Sequence, residues 1–129
     1  LAQYRWAFVM GRGDTWQLYT PNSGGGKILA DAGIQFSAAN QGVAEATKSY
    51  SLEQINLIAD ADVIVTYAGR DGAPLATHAK LADLPTWQAL PANKNGRLFY
   101  MPDIITFSYN SALGLLDQIE AALKKLQGA

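Results

Sequence analysis

Apolar residues are distributed along the chain in two rhythms. Three short runs, 4–10 (YRWAFVM), 62–67 (DVIVTY) and 97–101 (RLFYM), are nearly continuous in β-branched, aromatic and other apolar residues and are bounded by Gly, Pro or Asp. Such runs predict strands buried on both faces. The stretches between them carry helical spacing. A first helix is predicted over about 25–32, with Ile28 and Leu29 facing inward and Gly33 as its C-terminal stop. A second begins at Ser51-Leu52-Glu53-Gln54, a capping-box sequence, with Leu52, Ile55, Leu57 and Ile58 as buried positions. It gives way at 59–61 to the Asp62 strand. A looser helical region spans about 75–90, interrupted by Pro85. The last helix, about 110–126, repeats Leu113, Leu116, Ile119, Ala122, Leu123 and Leu126 at helical spacing, with Lys124 and Lys125 near its C-terminal dipole.

Strands alternating with helices imply crossover units. The expected fold class is therefore α/β: a three-layer, Rossmann-like lobe with a mainly parallel central sheet and helices on both faces. In such sheets ligands bind beyond the carboxyl ends of the strands. That directs attention to the loops 11–16, 68–72 and 102–109.

Composition narrows the function classes. A chain of 129 residues, 49% hydrophobic, suits a single domain with one real core. Ten basic and eleven acidic residues give a net charge of −1, so no basic stripe exists to drive binding to nucleic acid. Cysteine is absent, which removes disulfides, thiol catalysis, Cys-ligated zinc and iron–sulfur clusters. No apolar run approaches the roughly 20 residues of a membrane-spanning helix. The chain opens at Leu1 without a charged-then-apolar leader, which suggests a processed or truncated piece of a longer protein.

Several motifs with chemical connotations can be weighed. Ser23-Gly24-Gly25-Gly26-Lys27 resembles a phosphate loop, yet Pro21 stands where the first Gly of that pattern belongs and Ile28 where its Ser or Thr belongs. A flexible turn into a helix fits better. Arg12-Gly13-Asp14 spells a cell-adhesion tripeptide with nothing around it to support that role. His78, the only histidine, lies in an Ala-rich segment without a nucleophile or orienting carboxylate in its pattern, and is expected on a solvated helix surface. Asp60 and Asp62 read as a helix-to-strand turn. With one His and no Cys, no transition-metal site is expected. One constellation remains. Arg12 and Arg70 each follow a predicted parallel strand, and Trp16, Phe107 and Tyr109 fall on the same edge. Two guanidiniums among aromatic rings suit a bulky, flat, anionic ligand. The alternative, that the arginines are surface charges and the rings cap the core, stands equally open at this point.

Five ordered segments give the chain a resemblance. They are Ser51-Leu52-Glu53-Gln54-Ile55, Ala61-Asp62-Val63-Ile64-Val65, Leu84-Pro85-Thr86-Trp87-Gln88-Ala89-Leu90, Lys94-Asn95-Gly96-Arg97-Leu98-Phe99-Tyr100 and a long C-terminal helix. Together they resemble the C-terminal lobe of periplasmic siderophore-binding proteins of ABC iron importers. The glycine-rich segment at 23–29 and Thr106-Phe107-Ser108-Tyr109 look most like the ferric-enterobactin, catecholate type. The resemblance implies that residues 1–129 form one lobe of a two-lobed protein, the N-terminal lobe and inter-lobe helix lying outside this sequence. It implies a carrier and not an enzyme, without a cofactor of its own. The expected partners are a ferric siderophore and an inner-membrane ABC permease, and the expected location is the periplasm, or a lipid-anchored extracytoplasmic position in a Gram-positive host. Arg12 and Arg70 match arginines set against the anionic complex, Trp16, Phe107 and Tyr109 match cleft aromatics, and Glu53 matches a glutamate that docks on the permease. Some relatives bind iron through a His and a Tyr. The matching stretches here hold 44–46 (AEA) and about Phe107, which favours a siderophore that fills the metal's coordination sphere itself. A haem or cobalamin carrier, and a stand-alone α/β enzyme or regulatory domain, are the rival readings.

Overall fold

The computed structural model describes residues 4–40, 43–68, 75–101 and 109–128. Its centre is strand β1 (Arg5–Gly11), all of whose residues after Arg5 are buried. Alternation of side chains along β1 builds the layers. Trp6, Phe8 and Met10 enter one core, with Val63, Val65, Leu29 and Leu115. Ala7 and Val9 enter the other, with Ile64, Ile55, Ile58, Leu81 and Trp87. Both faces of the sheet are therefore covered by helices, as a near-continuous apolar strand requires.

The sheet runs β4-β2-β1-β5-β6, with the two-residue β3 (Gln35–Phe36) also beside β1. Strand β5 (Val63–Tyr67) is parallel to β1, with Trp6 opposite Val63, and β6 (Leu98–Met101) is parallel to β5, with Ile64 opposite Leu98. The α/β, three-layer, mainly parallel expectation matches this architecture. One flank differs. Strand β2 (Thr15–Tyr19) folds back antiparallel on β1, and β4 (Thr47–Ser51) pairs antiparallel with β2. The segment 11–16, expected as a loop leading to a crossover, is instead a hairpin. Arg12 N–H donates to the Thr15 carbonyl at 2.8 Å, and Gly13 at φ +75° takes the left-handed position of the turn, which glycine adopts without strain.

Helix α1 (Gly24–Asp31) begins where the glycine-rich segment predicts. Ser23 Oγ accepts from Gly26 N–H at 2.9 Å and donates to the Thr20 carbonyl at 2.8 Å. A side chain at Gly26 has no room, since its Cβ would lie against the Thr20 carbonyl oxygen. The motif is thus a packed helix start, in keeping with the turn reading.

The segment Leu52–Ile58 is helical but 3₁₀. Gln54 Oε1 accepts from both the Ser51 N–H and its hydroxyl, each at 3.2 Å. Three residues per turn put Leu52, Ile55 and Ile58 on one face. Leu57, expected inside, is therefore 44% exposed. The looser region at 75–90 resolves into a 3₁₀ turn (Ala76–His78), α2 (Ala79–Ala82) and α3 (Pro85–Gln88), and α4 (Pro91–Lys94) follows it, with Pro85 and Pro91 each opening a new turn.

Helix α5 (Tyr109–Gly128) closes the first core with Leu115, Ile119 and Ala122. The expected apolar stripe is corrected in its first turns. Leu115 is wholly buried, while Leu113 and Leu116 are 44% and 37% exposed. Among the described residues no helix is long and apolar enough to cross a membrane.

Candidate functional site

The carboxyl ends of β1, β5 and β6 form one edge of the sheet. Of the predicted site residues, Arg12 is placed there most directly: it is exposed in the three-residue turn between β1 and β2. Arg70 and Phe107 lie outside the described residues. Tyr109 is the first residue of α5, which sets its backbone but not a described side chain.

Trp16 is a correction. It was expected at the rim and is 0% exposed, in the second core. Its register explains this. Trp16 sits opposite Gly11 on β1, so it faces the same layer as Val9 and Ala7, one residue out of phase with Arg12. The indole N–H donates to the Ser51 carbonyl at 2.9 Å, and the ring stacks on Tyr50 at 4.9 Å. It braces the hairpin from behind.

Two tyrosines that sequence reasoning passed over lie on the sheet face that carries Met10. Tyr19 is buried with its hydroxyl 3.1 Å from the Met10 sulfur, and half-buried Tyr67 ends β5 on the same side of the sheet. Burial raises the Tyr19 phenol above its usual range; the Arg12 guanidinium acts in the opposite direction and Tyr67 adds to the rise. A cation and two phenols thus share one electrostatic neighbourhood. The period-two pattern of 15–19, with Trp16 and Leu18 inward, could have revealed this strand and hence Tyr19.

His78 is a second correction. It was expected on a solvated surface and is 3% exposed. Its ring meets Trp87 and Tyr100 edge-on, at 5.3 and 5.8 Å between centroids, and among the described residues neither nitrogen has a hydrogen-bond partner. Burial holds its pKa below the usual histidine range, so the ring is neutral at pH 7.

Glu53 is exposed in the first turn of the 3₁₀ helix. Because Thr15 lies opposite Ser51, this turn stands at the same end of the sheet as Arg12. Residues 44–46 lie at the other end, where the Thr20 hydroxyl donates to the carbonyls of Glu45 and Ala46. The aspartates at 60 and 62 serve the turn as expected. Asp62 accepts from Arg5 N–H at 2.9 Å, and Asp60 accepts from Ala38 N–H at 2.8 Å and pairs with the Arg5 guanidinium at 3.2 Å.

Residues 3–105 match the family model described as periplasmic binding protein. The siderophore periplasmic binding protein from the fuscachelin gene cluster of Thermobifida fusca is 32% identical, with a TM-score of 0.90 over 97% of this chain. This chain covers 46% of that protein's length. Staphylococcus aureus SirA complexed with staphyloferrin B is 24% identical, with a TM-score of 0.75 over 94% of this chain and 45% of that one. FhuD2 from Staphylococcus aureus with bound ferrioxamine B is 19% identical, with a TM-score of 0.77 over 95% of this chain and 48% of that one. These last two show a shared fold. No curated protein matches the chain. Four-fifths of the residues match the family model, and the chain belongs to the periplasmic binding protein family.

Proposed function

We propose that this chain supplies one side of a ligand cleft in a ferric-siderophore carrier of an ABC iron importer. The observation that carries the reading is the 32% identity to the Thermobifida siderophore-binding protein over 97% of this chain. Exposed Arg12, at the sheet edge where α/β ligands bind, supports it. Such a protein binds and delivers; it performs no chemistry on its cargo and works outside the cytoplasm.

Within that reading the ligand is a catecholate. Arg12 and Arg70 meet the anionic complex through charge-assisted hydrogen bonds, Phe107 and Tyr109 cover its flat faces, and Trp16 holds the hairpin behind Arg12. A ligand complete in its own iron coordination needs no protein donor to the metal, in keeping with 44–46 (AEA) at the far end of the sheet. Glu53 is the docking point for the permease.

The test is tryptophan quenching by ferric catecholates, ferric hydroxamates, haemin and cobalamin with the intact protein. Tight binding of a ferric catecholate, weakened by about 100-fold or more in Arg12→Ala/Arg70→Ala, is the expected result, since charged hydrogen bonds contribute about 1.5–3 kcal/mol each. Preference for a hydroxamate overturns the catecholate assignment. A porphyrin or corrin band on titration, with siderophores ignored, overturns the iron reading.

A further inference from the structure

The short segment carrying His78 grips the Arg12 turn at three points. Thr77 accepts at its carbonyl from Gly13 N–H at 3.0 Å. Lys80 Nζ pairs with Asp14 Oδ1 at 2.6 Å, on the surface. At Gly11 the two backbones touch: a Cβ there would stand 2.9 Å from His78 Cα, 3.1 Å from the Thr77 oxygen and 3.3 Å from His78 Nδ1. The turn that displays Arg12 is thus seated directly on the histidine.

We propose that His78 is a positioning residue for Arg12, and that protonation of its imidazole unseats the turn and loosens the ligand in acid. The proposal rests on the reading of Arg12 as a ligand contact and adds regulation to that site. A neutral ring packs among aromatic rings at modest cost. A protonated ring carries two N–H donors that need acceptors, and a buried cation without them is unstable. From α3 the histidine faces the Trp87 ring; from β6 it faces Tyr100, whose burial keeps the phenol protonated; from β1 it faces the Gly11 backbone. On its own segment Lys80, two residues further on, is paired with Asp14 of the Arg12 turn. Among the described residues nothing offers the ring a carboxylate. Hydration of the charged ring requires 76–78 to lift, and Thr77 and its bond to Gly13 go with it.

The sign follows from the histidine's burial. Its folded-state pKa is lowered, so its contribution is complete above the unfolded value of about 6.5 and is lost as pH falls below it.

His78 is the only histidine of these 129 residues, and its imidazole Cε1–H resonance in the intact protein is assigned as the one lost in His78→Phe. The expected result is a titration midpoint below about 6.5 that moves the Gly11 and Gly13 amide signals in step, with or without ligand. In parallel, affinity for a ferric catecholate and a ferric hydroxamate is measured at about pH 7.5 and about pH 5.5 in the native protein, His78→Phe and His78→Gln; one linked proton changes affinity by at most about tenfold per pH unit. The native protein is expected to lose more affinity in acid than either folded variant, by up to about tenfold, the ligand's own proton chemistry being common to all three. Histidine titration without movement of the two glycine amides, or an equal acid loss in the variants, overturns the latch. If neither ligand binds at any pH while the glycine amides still follow His78, the siderophore reading fails and the latch itself is supported.

Discussion

Gly11 and His78 are in backbone contact: a methyl group on Gly11 would come within 2.9 Å of the histidine Cα. Neither partner can yield cheaply. One is in the central strand, and the other is packed between two aromatic rings. Gly11→Ala is expected to destabilise by about 1–3 kcal/mol through overpacking, despite its ordinary φ. Urea denaturation measures this, and an unchanged midpoint would separate the two segments.

Trp16 ties β2 to β4 through its indole N–H. Trp16→Phe keeps an aromatic ring against Tyr50 and loses the bond to the Ser51 carbonyl, for an expected loss of about 1–3 kcal/mol with the acceptor left unpaired. Trp16→Ala removes the ring as well and is expected to lose about 3–5 kcal/mol. Chemical denaturation of the two variants side by side gives the difference, and equal losses would contradict the hydrogen bond.

The phase of α5 yields a paired expectation. Leu115→Ala opens the first core and should lose about 2–5 kcal/mol. Leu116→Ala, on the outer face, should stay within about 0.5 kcal/mol. Thermal melts of both variants read the orientation of the helix directly, and a reversed order would rotate it.

The pH profile of stability has two limbs. Burial raises the phenols of Tyr19 and Tyr100, so their contribution holds below the unfolded value of about 10 and is lost as pH climbs beyond it. His78 is lowered, so its contribution fails below about 6.5. Melting temperature against pH should show a plateau between these values. His78→Phe should make the shoulder near neutrality shallower and leave the alkaline limb unchanged.

How far the sequence foretold these features depended on where each residue's environment originates. Val63, Ile64 and Val65 are buried on both faces, and an unbroken apolar run announces that by itself. The limits of α1 were equally plain, because Ser23 and Gly26 at its start and Gly33 past its end act locally through caps and turns. The antiparallel flank was not. Strand β4, Thr-Lys-Ser-Tyr-Ser, is an edge strand with polar residues on both sides, and its place depends on pairing with β2. The burial of His78 depends on Trp87 and Tyr100, supplied from two other elements, so its Ala-rich neighbours in sequence misled. In α5, leucines at 113, 115 and 116 allow two apolar stripes to be drawn, and only packing against β1 and β5 chooses between them. At the candidate site, Arg12 was legible as a post-strand residue, whereas Tyr19 and Tyr67 joined it through register, which composition does not encode.

The Thr15–Ser51 pair has a further implication for communication across the molecule. It sets the turn bearing Arg12 and the helical turn bearing Glu53 on the same rim of the sheet. On the proposed roles, cargo and transporter meet the protein along the same rim of the sheet. Loading and docking would then both be read at one edge of the sheet.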